Sequence, residues 1–270
     1  MSTSDVAFAG SIPAIYDQYL GSLLFEPYAE DLAGRLKDMD RGRILETAAG
    51  TGIVTRALVR RLPPAVEIVA TDLNQAMLDM AATRLQAPNV TWRQADAQTL
   101  PFEDTAFDAV VCQFGVMFFP DKEAAYREAL RVLRPGGRFV FNVWGTLEAN
   151  ELSRIVFETV AGLFPDDPPR FLERVPFGYA DPDRILGEVE RAGFETVEIE
   201  TVERTSTAPS PREPAIGFCQ GTPLRNEIEA RAPDRLAEIT DRIAEAFAAR
   251  FGPSAVENRM TAYVVTARPA

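Results

Sequence analysis

The chain has 270 residues, of which 46% are hydrophobic, and 40 acidic against 28 basic residues give it a formal net charge of −12. That length suits one large α/β domain or a domain with a sizeable insertion, and the apolar content excludes global disorder. The acidity argues against nucleic-acid and anionic-membrane partners, which both need concentrated Lys/Arg.

Ile12, Ile15, Tyr16, Tyr19, Leu20, Leu23 and Leu24 fall at helical spacing over 12–24. A second helix starts near Pro27, a favoured early helical residue, and carries Tyr28, Leu32 and Leu36 on one face. Strands and helices then alternate. Ile44-Leu45 is a strand, Ile53 to Leu58 a helix, Val66–Thr71 a strand, and Met77 to Leu85 a helix. Val90–Gln94 and Phe107–Cys112 are the third and fourth strands. Residues 121–133 form a helix stopped by Arg134-Pro-Gly-Gly137, and Arg138–Trp144 is a fifth strand. This alternation implies βαβ units and a parallel sheet.

Past Trp144 the pattern changes. Residues 150–164 are helical and 165–178 read as loop. Asp181-Pro182 caps a helix that runs through Ala192 and ends at Gly193. Phe194–Thr205 alternates as a strand, 212–251 is a helical insertion, and Thr261–Thr266 is a last strand.

The loop after the first strand is Glu46-Thr-Ala-Ala-Gly-Thr-Gly52, and it leads into a helix. Small residues there let the backbone approach a ligand, and the following helix N-terminus attracts an anionic group. Asp72 closes the second strand, where dinucleotide folds place an acid on ribose hydroxyls. A nicotinamide or flavin site wants Gly-x-Gly-x-x-Gly, but the run from Gly50 is Gly-Thr-Gly-Ile-Val-Thr55, without the third Gly. No Lys-Ser/Thr follows the glycines, so the loop is not a P-loop.

The loop resembles motif I of the class I S-adenosylmethionine-dependent methyltransferases, Glu/Asp-x-Gly-x-Gly-x-Gly, with Ala48 in place of the first Gly. Val69–Asn74, Gln94–Phe102, Phe107–Asp121 and Leu133–Phe139 resemble the later motifs in order, from about residue 43 to 144. The best resemblance is to the type 11 branch, similar to ubiquinone/menaquinone biosynthesis enzymes. It implies a doubly wound, seven-stranded, mostly parallel sheet of the Rossmann-like methyltransferase kind, with N-terminal helices and a helical insertion before the last strand. The implied organisation is a cap at 1–40, a cofactor-binding core at 41–148, and completion of the sheet plus a helical lid at 149–270, all in one folded unit.

The implied cofactor is S-adenosylmethionine, with S-adenosylhomocysteine as product. The resemblance puts Glu46 near the methionine ammonium or in control of the loop, and lets Gly50 and Gly52 admit the methionine portion beside Ala48. Asp72 would accept from the ribose hydroxyls, and Leu73 and Met77 would pack near the adenine. Asp96 would accept from the adenine amino group, with the Ala97 N–H nearby. Gln113 and Phe114 would border the sulfonium.

Plainer readings stand beside these. Junction glycines alone are turn residues, and Asp72 also reads as a helix N-cap. Asp104 and Asp121 read as caps or turn formers, Asp108 as a fixer of loop geometry, and Cys112 as a small buried residue. Tyr16, Tyr19 and Tyr28 are core aromatics or pocket liners. Asn142 and Trp144 end a strand where open α/β sheets bind ligands, and Trp144 is equally a packing residue.

The chain has no histidine, the commonest general base and metal ligand. No metal site is therefore expected, any proton transfer would use Asp, Glu, Tyr, Cys or water with no one residue standing out as the base, and methyl transfer would rest mostly on proximity and orientation. The expected partner is a small, partly apolar methyl acceptor. Oligomeric state is open. Two cysteines make no disulfide framework, 109–119 is too short to span a bilayer, and Met1–Val6 has no signal-peptide pattern, so a cytoplasmic enzyme is expected. A cofactor-binding module without turnover and a nicotinamide oxidoreductase are the alternatives.

Overall fold

The computed structural model describes residues 10–270, so residues 1–9 of the expected cap, with the Met1–Val6 segment, lie outside the described residues. Residues 12–34 are helical as α1 (Ile12–Ile15), a π-wound segment (Tyr16–Phe25) and α2 (Glu26–Gly34). The alternating part comprises β1 (Gly42–Glu46), α3 (Ile53–Arg61), β2 (Val66–Asp72), α4 (Gln75–Arg84), β3 (Val90–Gln94), β4 (Phe107–Gln113), α5 (Lys122–Val132) and β5 (Leu133–Trp144). There follow α6 (Glu151–Leu163), α7 (Phe171–Arg174), α8 (Pro182–Arg191), β6 (Thr196–Ala208), α9 (Arg212–Gln220), α10 (Leu224–Arg231), α11 (Leu236–Phe251) and β7 (Val256–Arg268). The chain forms two compact units interleaved in sequence.

The sheet unit holds Tyr28–Trp144, Tyr179–Val202 and Ala262–Ala270. Its seven strands run in the order β3-β2-β1-β4-β5-β7-β6. The pairs β3–β2, β2–β1, β1–β4 and β4–β5 are parallel, and β7 is antiparallel to β5. The sheet is thus seven-stranded and mostly parallel, of the Rossmann-like methyltransferase kind. The central strands are apolar because both their faces are covered: Ile44, Leu45 and Ala109–Cys112 have no exposure. The chain winds outward from β1 to β3, then returns to β4 on the other side of β1. That reversal is a topological switch point, and open α/β sheets usually bind ligands at the carboxyl ends of the strands beside it.

Local signals explain the boundaries. Asp121 caps α5 by accepting from Ala124 N–H at 2.9 Å, and Asp181 caps α8 by accepting from Asp183 N–H at 3.0 Å. Asp108 accepts from Arg43 N–H and from Arg134 Nη1, each at 2.7 Å, so it fastens the amino-terminal edge of the sheet. The Pro-Gly-Gly turn is absorbed into β5 as an irregularity: pairing jumps from Phe107–Leu133 to Ala109–Arg138, and Gly136 adopts φ 77°.

The helical unit comprises residues 10–27, Gly145–Gly178 and Glu203–Thr261. Leu20, Leu23, Val156, Ala215, Phe218, Ile239, Ile243 and Phe247 are buried there. α9 packs tightly on the π-wound segment, since a Cβ at Gly217 would lie 2.5 Å from Leu20 Cδ2. The insertion at 212–251 resolves into three helices, broken at Gly221-Thr-Pro223 and around Pro233 where helical hydrogen bonding cannot continue. Glu227 accepts from the backbone of Arg170 at 2.8 Å and pairs with Arg174 at 2.7 Å, which turns part of the expected 165–178 loop into α7. Among the described residues no helix is long and apolar enough to cross a membrane.

Candidate functional site

The Glu46–Gly52 loop is stitched to both neighbouring strands. Thr47 N–H donates to Val111 O and Ala49 N–H to Thr71 O, each at 2.9 Å. Alternate residues take left-handed backbone: Ala48 at φ 52°, Gly50 at 55° and Gly52 at 76°. The two glycines differ in surroundings. A Cβ at Gly52 would lie 2.7 Å from the Trp92 ring and 3.1 Å from Ala81, so its bareness serves internal packing. A Cβ at Gly50 would meet no heavy atom within 4 Å, so this backbone borders open space.

Glu46 is buried at the end of β1. Its Oε2 accepts from Thr55 Oγ1 at 2.6 Å, and its carbonyl accepts from Thr71 Oγ1 at 2.9 Å. Burial pushes its carboxyl up to about 8, against the opposing pull of the Thr55 hydroxyl and the Arg56 charge; nearby Asp72 adds to the rise. Thr55 stands where the nicotinamide fingerprint has its third Gly, so the departure in sequence is the partner of Glu46.

Asp72 bridges two segments. Its Oδ2 accepts from Gly50 N–H and its Oδ1 from Asn74 N–H, each at 2.8 Å. Burial raises its carboxyl, while those two amides pull it down. The N-cap of α4 is Asn74, which sets aside the plain capping reading of Asp72. Leu73 follows at 56% exposure, and no other large hydrophobic side chain among the described residues is exposed. Its carbonyl is pinned by Gln94 Nε2 at 2.8 Å, while Met77 is buried one turn into α4.

After β3, Asp96 accepts at Oδ1 from Gln98 N–H at 2.8 Å, with half-buried Ala97 between them. Gln98 Oε1 in turn accepts from Asp121 N–H at 2.9 Å, tying this loop to the start of α5.

At the end of β4, Gln113 is half-buried and lies in register with Asn142. Phe114 takes φ 48°, a costly conformation for a side chain with a Cβ. Its N–H is held by Asn142 Oδ1 at 2.9 Å and Asn142 O at 3.2 Å. Its ring stacks on Trp144 at 3.8 Å, and Tyr28 meets both rings edge-on at 5.3 and 5.6 Å. Tyr28 is fully buried, and its hydroxyl donates to Val202 O at 3.1 Å. Tyr28, Asn142 and Trp144 are therefore supports for Phe114. Cys112 is buried, and burial pushes its thiol up to about 12, which leaves no nucleophilic thiolate.

The candidate residues thus gather at the carboxyl ends of four adjacent strands: Asp96 after β3, Asp72 on β2, Glu46 and its loop after β1, and Gln113 with Phe114 at β4. Sequence reading missed Thr55, Asn74, Gln94 and Gln98, ordinary polar residues whose roles come from partners elsewhere in the chain. The donor set suits a ligand with vicinal hydroxyls, a cationic group and a flat apolar part: paired carboxylates, open backbone at Gly50 and exposed Leu73.

Fold and site define a nucleoside-binding α/β enzyme of the methyltransferase type. Residues 45–141 match the family described as "Methyltransferase domain". The ubiquinone/menaquinone biosynthesis C-methyltransferase UbiE of Idiomarina loihiensis is 30% identical over 192 residues, covering 66% of this chain and 75% of that protein. The methyltransferase tpcH of Aspergillus fumigatus is 32% identical over 211 residues, covering 72% and 73%. Among solved structures, phosphoethanolamine N-methyltransferase 2 of Haemonchus contortus, in complex with phosphomonomethylethanolamine and S-adenosylhomocysteine, aligns with a TM-score of 0.61 at 18% identity. That alignment covers 96% of this chain and 57% of the other. The chain belongs to the class I S-adenosylmethionine-dependent methyltransferases of the UbiE-like, type 11 branch. It is an enzyme, and its cofactor is S-adenosylmethionine.

Proposed function

We propose that this methyltransferase binds S-adenosylmethionine along the carboxyl ends of β3, β2, β1 and β4 and methylates a small, partly apolar molecule. When bound, the cofactor supplies a methyl group on a sulfonium, which is already an activated leaving group. Asp72 accepts from the ribose hydroxyls with the lone pairs that Gly50 and Asn74 leave available. Leu73 and Met77 meet the adenine, Asp96 accepts from its amino group, and the Ala97 N–H lies beside it. Gly50 and Gly52, with Ala48, admit the methionine portion, and Glu46 faces its ammonium. Gln113 and Phe114 border the sulfonium. The protein's contribution is to hold the reacting atoms in line and exclude water, which needs no histidine.

The observation that carries this reading is the Asp72 bridge, because it fixes a carboxylate against the glycine of the Glu46–Gly52 loop that borders open space. The relatives' C-methyltransferase names make carbon the first acceptor atom to assay. A net charge of −12 and two free, buried cysteines support a cytoplasmic setting without nucleic-acid partners. The test is calorimetric titration with S-adenosylmethionine. Wild type binds, and Asp72→Ala loses at least ~1.5 kcal/mol, the scale of charge-assisted hydrogen bonds. Unchanged affinity in that variant would sink the assignment of the site. Release of S-adenosylhomocysteine from candidate acceptor pools then identifies the acceptor.

A further inference from the structure

We propose that Gln98 is a positioning residue that aims the Asp96 carboxylate at the exocyclic amine of the cofactor's purine and thereby sets selectivity for adenine; this rests on the reading of Asp96 above. Gln98 makes four contacts through three of its atoms. Its backbone N–H donates to Asp96 Oδ1 at 2.8 Å. Its side-chain Nε2 donates to the same Oδ1 at 3.2 Å and reaches Oδ2 at only 3.4 Å. Its Oε1 accepts from Asp121 N–H at 2.9 Å.

The last contact fixes which end of the amide is which. An N–H can only be met by the carbonyl end, so the NH2 end must face Asp96. The donations therefore concentrate on Oδ1. Oδ2 keeps the greater acceptor capacity, and the carboxylate cannot swing without breaking its bonds to an amide that Asp121 holds in place. The anchor is itself rigid: Asp121 caps α5 through Ala124 N–H at 2.9 Å. The same loop is held to α5 again where Glu128 accepts from Leu100 N–H at 2.7 Å and Arg131 donates to Leu100 O at 3.0 Å. Glutamate at 98 could still accept from Asp121, but it would set a second negative charge against Asp96 and its side chain would donate nothing.

The experiment compares binding of S-adenosylhomocysteine with that of its 6-deamino purine analogue, by calorimetry, in four proteins: wild type, Gln98→Leu, Gln98→Glu and Asp96→Ala. Wild type prefers the amino form by about fivefold or more, the scale of one net hydrogen bond. Gln98→Leu narrows that preference to within about twofold while its melting temperature and its affinity for the deamino analogue stay near wild type. Gln98→Glu loses the preference as well. Gln98→Met repeats the measurement should the leucine variant not fold. An equal loss of affinity for both ligands in Gln98→Leu would mean a merely structural residue and overturn the proposal. If Asp96→Ala abolishes the preference and Gln98→Leu retains it, the positioning role falls while the Asp96 reading stands. If Asp96→Ala retains the preference, both fall.

Discussion

Replacing Glu46 with glutamine should make the protein more stable at neutral to alkaline pH and remove part of its pH dependence. Glu46 is 1% exposed, and its polar contacts are the Thr55 hydroxyl at Oε2 and the Thr71 hydroxyl at its carbonyl. The unfolded chain gives up this proton near the ordinary value of 4.5, whereas in the folded protein burial holds it to about 8. Across that window the folded state carries one more proton than the unfolded state, so stability falls as pH rises. At ~1.4 kcal/mol per pH unit the full window corresponds to roughly 5 kcal/mol, and relaxation around the ionised group reduces what is realised. Glutamine has nearly the same shape, keeps a hydrogen bond with Thr55 and never ionises. Chemical denaturation of both proteins from about pH 5 to about pH 8 should show near-equal stability at the acid end and a glutamine variant more stable by several kcal/mol at the other. The raised Asp72 carboxyl slopes in the same sense in both proteins, and since it is the smallest contributor to the Glu46 rise the difference reports mainly Glu46. Parallel curves would mean that Glu46 already ionises at its ordinary pH, and the burial argument would be refuted.

Other consequences are equally direct. Ala48 holds φ 52°, so Ala48→Gly relieves left-handed strain of ~1–2 kcal/mol, offset in part by glycine's chain entropy; calorimetry should show a net gain of up to ~1 kcal/mol. Gly115→Ala places a Cβ 2.5 Å from Ala48 Cβ and 2.7 Å from Cys112 Sγ, so urea denaturation should show a loss of ~1–3 kcal/mol, part of it recovered in the double variant with Ala48→Gly. Tyr28→Phe removes the hydroxyl's hydrogen bond to Val202 O and should cost ~1 kcal/mol by the same assay. With its thiol pushed up to about 12, Cys112 should resist iodoacetamide in the native protein and react only in denaturant, as peptide mass spectrometry would report.

Much of the fold was legible because its signals are local. Val90–Gln94 is a strand with the limits read from the sequence, and Asp181-Pro182 starts a helix as capping chemistry requires. Less legible were features set by tertiary partners. β7 begins at Val256, five residues before the apolar run at Thr261, because its polar first half is ordered by packing as well as by composition: Val256 and Asn258 are both buried. The π winding of Tyr16–Phe25 leaves apolar spacing close to that of an α-helix, so periodicity could not reveal it. In the site, the acids stood out by chemistry and position at strand ends. Gln98 did not, because its meaning depends on Asp121, 23 residues away.

The departure that first turned the glycine loop away from nicotinamide also explains what replaced that chemistry. A third glycine after Gly50 and Gly52 would let the helix pack closely beneath a pyrophosphate. Here that position is Thr55, fully buried, and its hydroxyl is spent on Glu46 at 2.6 Å. A buried acid at the head of the loop would repel a phosphate whenever it ionises, so on the reading proposed above this pair disfavours a pyrophosphate. On that reading, Thr55→Gly alone should leave Glu46 without its hydroxyl partner, raise its carboxyl further and give no nicotinamide binding. Tight binding of reduced nicotinamide dinucleotide to that variant, read by fluorescence titration, would show that the glycine count rather than the buried acid decides.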